Sequence, residues 1–320
     1  MAAKSKSPKT PRPKAPRKKK TRFGIGEWYG RLFTDLTPEQ RLQYATIQET
    51  LPDDRESMPC PFKGGTCSKE GGVCSLRLYQ EGEDGQAETV AGATGALRAS
   101  CPSRFHEGLS AFLWAGETIL ENQRAIMVPE VGFLESSKTT DSEGGDDVGR
   151  IDMVIVERDE TGPATPLNWC ALEVQGVYFS GNKMELEFTA IRKAKGALLF
   201  PVATRRPDYR SSGPKRLMPQ LQIKVPTLRR WGRKMAVVVD RSFFDSMGEM
   251  VRKDDLSSCD IAWFIVRFEE VSGQCRAELV RDEAYYTTLE QAVDGLTGGK
   301  PLTKTQFESR IKDKIQKIGE

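Results

Sequence analysis

Two apolar segments with acids in their interiors constrain this chain more than any other feature of it. Residues 150–157 (RIDMVIVE) and 168–179 (NWCALEVQGVYF) each have the length and β-branched content of a strand, and a turn segment, DETGPATP, lies between them. Asp152 interrupts the first; Glu173 and Gln175 interrupt the second. Side chains alternate across a strand, so Glu173 and Gln175 share one face while Leu172 and Val174 take the other. An Asp on one strand and a Glu on its neighbour can converge on one divalent cation. Magnesium, which takes oxygen ligands and keeps several waters, suits such a pair. It would lower the pKa of a bound water and stabilise charge on a scissile phosphate. A polar face on an ordinary sheet would give the same short pattern, so the motif alone leaves both readings open.

The other segments place these strands in an α/β or α+β fold. Thr37, Pro38 and Gln40 form a helix start, with a helix over about 38–50. Residues 51–101 are rich in Gly and Cys and poor in periodicity. A helix is expected over 106–123, and β structure over 124–134, broken at Pro129. A polar, acidic loop follows at 136–149, a helix at 183–196 and a long loop at 201–216. Residues 217–232 read as a helix kinked or split at Pro226. Strands at 234–240, 260–271 and 276–288 then alternate with helices at 242–253, 289–296 and 305–318. The pattern is a mixed central sheet flanked by helices.

Charge is segregated. The 48 Lys+Arg and 45 Asp+Glu leave a net charge of only +3. Residues 1–22 hold ten Lys/Arg and no acid, and residues 192–234 hold thirteen with one acid, Asp208. These segments sum to +22, so the rest of the chain sums to −19. Such concentration points to a polyanionic partner. The first segment has four Pro and no large apolar residue beyond Met1, so it reads as a disordered basic tail that meets nucleic-acid phosphates or simply solubilises the chain. The folded domain is expected over 23–320. No run approaches the roughly 20 apolar residues of a bilayer span, and the N-terminus lacks a secretory apolar region, which predicts a cytoplasmic protein with no membrane partner. A single His excludes zinc-protease and HNH-type chemistry.

Four of the seven Cys fall at 60, 67, 74 and 101, with linkers of six, six and twenty-six residues. Four thiolates make a common structural metal site, and the paired glycines of MPCPFKGGTCSKEGGVCS free the backbone to wrap an ion. Four unrelated thiols are the alternative. Cys170, Cys259 and Cys275 read as small apolar residues, and His106 as a helix-start residue, with a fifth metal ligand as the alternative.

An Asp followed, after a spacer of twenty residues, by Glu-x-Lys or Glu-x-Gln is the pattern of the PD-(D/E)xK nucleases. Together with the cysteines it resembles the NotI-type restriction endonucleases. The matching stretches are Cys60-Pro61-Phe62, Gly72-Val73-Cys74, Cys101-Pro102-Ser103-Arg104, Asp152 and Leu172-Glu173-Val174-Gln175, over about residues 45–270. The resemblance implies a PD-(D/E)xK core with a four-cysteine metal-binding module at about 58–104. In the family that metal is iron; thiolate chemistry alone puts zinc level with it. It also implies that Asp152 and Glu173 bind magnesium and that Gln175, in place of the usual Lys, positions the hydrolytic water. Glu130 and Glu135 could add a further acid.

The implied activity is that of a magnesium-dependent type II restriction endonuclease, a homodimer acting on double-stranded DNA. DNA contacts are expected from Arg205, Arg206, Arg210, Lys215, Arg216, Lys224, Arg229 and Arg230, and from Lys63, Lys69, Arg77 and Arg104 near the cysteines, unless these are solvated charges. The competing readings are a structure-specific or repair nuclease of the same fold and a non-catalytic, metal-stapled DNA-binding protein.

Overall fold

The computed structural model describes residues 19–47, 58–135, 147–158, 167–299 and 302–318. Most of the basic tail, most of the acidic loop and the turn segment at 159–166 lie outside these residues. The tail gives way to regular structure before residue 22. Lys19 and Lys20 pair with Glu88 and Glu81 at 3.0 and 3.7 Å, and a strand begins at Thr21.

That strand opens an antiparallel sheet that the sequence pattern does not announce. It runs β2-β1-β3-β4, from β1 (Thr21–Trp28), β2 (Arg31–Leu32), β3 (Val73–Glu81) and β4 (Ala87–Thr89), with β5 (Arg98–Ala99) also on β3. Regular structure therefore does occur within residues 51–101. Glycines break the apolar alternation of β1 for a packing reason. A Cβ on Gly24 would lie 2.5 Å from Pro201, and one on Gly26 2.6 Å from Leu97. The longer helices are α1 (Pro38–Ile47), α2 (Ser110–Ile119), α3 (Glu185–Lys193), α4 (Met218–Arg230), α5 (Leu289–Thr297) and α6 (Lys304–Ile318). Trp28, Leu76 and Tyr79 of this first sheet pack with Ala45 of α1 and with Phe188 and Ile191 of α3.

The central sheet is mixed, as expected. Its strands are β6 (Ile126–Glu135), β7 (Asp147–Val156), β8 (Trp169–Gln175), β11 (Met235–Asp240), β12 (Ile261–Glu270) and β13 (Ala277–Thr287), in the order β13-β12-β11-β8-β7-β6. The inner three, β8, β11 and β12, are parallel, and the outer neighbours are antiparallel. The inner strands are almost wholly apolar, which suits a sheet covered on both faces. One face carries Leu172, Val238 and Phe264 against Phe112 and Ala115 of α2. The other carries Ala171, Val237 and Ile265 against Leu221, Val225 and Leu228 of α4 and Leu296 of α5.

Several expected boundaries change. β6 runs through Pro129 rather than breaking there. Pro129 is exposed and the strand is the last of its sheet, where a missing N–H costs little. The long loop at 201–216 contains β10 (Arg205–Pro207), paired with β9 (Phe179–Gly181), and a short helix at Tyr209–Ser212 capped by Asp208. From there the chain turns through Gly213–Leu217 into α4, which passes Pro226 unbroken. The carbonyl left without a partner by Pro226 belongs to Gln222, on the exposed face. The helix expected over 242–253 is only Arg241–Asp245; past it, Gly248 N–H donates to the Gly295 carbonyl at 2.8 Å and ties the chain to α5.

Candidate functional site

The two acid-bearing strands are neighbours, and their ladder changes character where the acids stand. The register runs from Val156↔Trp169 to Met153↔Leu172 and ends there. Beyond it the carboxylates take over. Asp152 N–H donates to Glu173 Oε1 at 3.3 Å, and Val174 N–H donates to Asp152 Oδ2 at 3.2 Å. Each acid thus grips the other's strand. The expected alternation holds: Leu172 packs with the α2 side, whereas Glu173 faces α4.

Glu173 is 4 % exposed, while Asp152 is open to solvent. Burial, reinforced by the Asp152 charge, pushes the Glu173 carboxyl up to about 7, against the pull of Lys224. Lys224 comes from α4, and its Nζ lies 2.5 Å from Glu173 Oε1. It is 3 % exposed. The expectation that Lys224 touches DNA is therefore corrected: it is a buried partner of the site carboxylate. The sequence hides this because a charge run does not say which way one lysine points. The signal lies in the stripe Leu221, Lys224, Val225, Leu228, in which the lysine holds a core position. Gln175 donates its amide to the Gly176 carbonyl at 2.5 Å. Glu130 lies between the rungs Pro129↔Met153 and Val131↔Ile151, level with Asp152, but its exposed side chain pairs with Arg150 at 3.7 Å. Glu135 stands opposite Asp147 in the strand register, away from Asp152.

The donor set fits a magnesium ion in kind: two carboxylates from adjacent strands, one of them resisting ionisation because it is buried and because the other is close. Beyond Gln175 the sheet opens into a cleft of about 620 Å³ lined by Lys69, Ser100, Tyr178, Lys183, Arg205 and Arg216, among others. Arg216 lies over the Tyr178 ring at 4.7 Å, and Lys69 donates to the Ser100 carbonyl at 3.3 Å. Tyr178 and Lys183 are not foreseen from the sequence because neither belongs to a motif.

The remaining basic residues divide. Arg206, Arg210, Lys215, Arg216 and Arg230 are exposed. Arg229 is half-exposed and bound to Asp260 at 2.5 Å. Arg205 is corrected: it is buried, pairs with Glu187 at 3.1 Å and donates to the Asn182 and Lys183 carbonyls. Arg77 and Arg104 are also corrected. Arg77 is buried and bonds Glu270 and the Gly95 carbonyl. Arg104 is fully buried against Glu27.

Backbone hydrogen bonds join the four cysteines two by two, and the Cys67 thiol also lies within electrostatic reach of Cys60 and Cys101. Cys60 and Cys67 end a turn closed by Cys60 N–H to the Gly65 carbonyl and Cys67 N–H to the Met58 carbonyl, both 2.8 Å. Cys74 and Cys101 meet through pairing around β3 and β5, with Cys101 N–H on the Cys74 carbonyl at 3.1 Å. Among the described residues no three His, Cys, Asp or Glu side chains are arranged to hold a metal ion. The expected iron or zinc module is thus not supported. Burial and the nearby Glu27 charge push the Cys74 thiol up. What ties the loop to the core is packing: the Arg104 guanidinium lies 4.4 Å from both the Phe62 and Phe268 ring centres. His106 sits in the Pro102–Leu109 turn, its ring against Phe112 with centres 4.8 Å apart.

The molecule is thus an α+β protein whose mixed sheet presents an acidic pair next to a cleft lined by lysine and arginine. The restriction endonuclease NotI family matches residues 47–279, and the chain belongs to that family. Membership makes it a nuclease, with double-stranded DNA as substrate and a divalent metal as the implied cofactor. The match spans Asp152, Glu173, Gln175 and all four cysteines, and leaves out residues 1–46 and 280–320. No curated protein matches the chain. Among the described residues, no helix is long and apolar enough to cross a membrane.

Proposed function

We propose that the chain is a type II restriction endonuclease with a PD-(D/E)xK site, hydrolysing both strands of a specific DNA sequence as a homodimer. The observation that carries this reading is the reciprocal grip of Asp152 and Glu173 within a chain of the NotI family. Asp152 and Glu173 would hold magnesium, which supplies an acidified water and offsets charge on the scissile phosphate. Gln175, which lines the cleft, orients the attacking water through its amide. Lys69, Arg206, Arg210, Lys215, Arg216 and Arg230 hold the duplex by its phosphates. In-line attack leaves a 5′ phosphate. A two-fold dimer matches a palindromic site.

The test is a digest of phage DNA of known sequence with and without Mg2+. Discrete fragments with defined ends are expected from the wild type, and at least about 100-fold less cleavage from Asp152→Asn and Glu173→Gln. Cleavage confined to branched DNA, or discrete fragments from both variants at the wild-type rate, would overturn the reading.

A further inference from the structure

The pair Glu173–Lys224 has no evident use in stability. A buried ion pair is often no better than apolar residues of the same volume, because both ions lose their water. Lys224 nevertheless occupies the sheet-facing stripe of α4, between Leu221 and Val225, where an apolar side chain would serve a plain core. Its Nζ lies 2.5 Å from Glu173 Oε1, the same oxygen that accepts the Asp152 N–H. The strand that carries Glu173 offers only the neutral Gln175 two residues on. Of the nearby cleft cations, Lys69 bonds the Ser100 carbonyl and Arg216 lies over the Tyr178 ring.

We propose that Lys224 is the positioning cation of this nuclease site, delivered by helix α4 rather than by the acid-bearing strand. The inference rests on the reading of Asp152 and Glu173 as the cleavage site. In the metal-free protein the ammonium group keeps two adjacent carboxylates together against their repulsion. It also fixes which Glu173 oxygen faces the helix and which is left for a ligand. Held there, it places a positive charge beside the acids that Gln175 cannot supply.

The experiment compares wild type with Lys224→Met, Lys224→Arg and Lys224→Gln. Three quantities are measured: single-turnover cleavage of a linear DNA that the wild type cuts, binding of that DNA in Ca2+, and the melting temperature with and without Mg2+. Lys224→Met is expected to cut about 100-fold more slowly while binding DNA within threefold of wild type, and Lys224→Arg to recover part of the loss. Mg2+ should raise the melting temperature of Lys224→Met more than that of wild type, because the ion then neutralises carboxylates that have lost their lysine. If the methionine variant does not fold, Lys224→Gln and Lys224→Arg carry the same three comparisons. Near-wild-type cleavage by a folded, uncharged variant overturns the proposal, as does a loss of cleavage matched by an equal loss of DNA binding. Equal Mg2+ shifts in wild type and variant also overturn it. A wild type that does not cleave DNA overturns the parent reading instead, and the Mg2+ shifts still decide whether Lys224 and a metal share Glu173.

Discussion

Arg104 shows how much one side chain can carry. Its Nε bonds Glu27 at 2.9 Å, Nη1 bonds Glu107 at 2.6 Å and Nη2 donates to the Ala277 carbonyl at 3.0 Å. The Arg104 and Glu27 side chains have no exposed surface. One residue thus ties β1, the turn before α2 and β13 together, with the Phe62 ring of the cysteine loop over its guanidinium. Removing one ion of a buried pair leaves the other charged and without water. Arg104→Met is therefore expected to cost about 3–5 kcal/mol in urea denaturation. Adding Glu27→Gln should return part of that loss, since it removes the stranded charge. Additive losses in the double variant would show that packing, not the pair, holds the junction.

At the scale of elements, the end of β11 joins the two sheets through a single acid. Asp240 Oδ1 accepts the Phe243 N–H at 2.8 Å, capping the short helix, and Oδ2 accepts the Ala99 N–H of β5 at 3.0 Å. Burial nevertheless wins and pushes the Asp240 carboxyl up to about 6. Between the ordinary carboxylate range and about 6, the folded protein keeps a proton that the unfolded chain has released. Stability contributed by this residue therefore falls as pH rises through that window, by about 3 kcal/mol in total. The variant Asp240→Asn lacks the proton exchange. Its unfolding free energy relative to wild type should shift in its favour by about 2 kcal/mol between pH 4 and pH 7, most of that total, read by urea denaturation at both values. Parallel curves would show that Asp240 is ionised throughout. What was legible in the sequence at this scale was the central sheet, because RIDMVIVE, KMAVVVD and DIAWFIVRFE are apolar runs of strand length. The pairing of Asp152 with Glu173 was legible through strand alternation. The first sheet was not, because Gly24 and Gly26 replace apolar residues where Pro201 and Leu97 press on the backbone. Nor was the fate of Lys224 and Arg205, since their partners Glu173 and Glu187 are distant in sequence and only packing turns the charges inward.

At the scale of the whole molecule, the charge asymmetry survives the burial of some of its members. Burial removes Lys224 and Arg205 from the cations available to DNA but leaves Arg206, Arg210, Lys215, Arg216 and Arg230 exposed. The seven Lys/Arg among residues 1–18 add a second source of positive charge that no acid in that segment offsets. β1 begins only at Thr21, and the family match only at residue 47. A chain starting at residue 19 therefore keeps the first sheet and every site residue. Each phosphate that the protein no longer neutralises should reduce the slope of log affinity against log salt by about 0.9. The truncated chain is expected to bind non-specific duplex more weakly at low salt, with a shallower slope, and to cut DNA at the same positions as the full chain. Fluorescence anisotropy across a series of NaCl concentrations, together with sequencing of fragment ends, checks both halves. An unchanged slope would mean the tail leaves the phosphates alone. Altered cut positions would mean that the tail takes part in choosing the sequence, a task that phosphate binding by itself cannot perform.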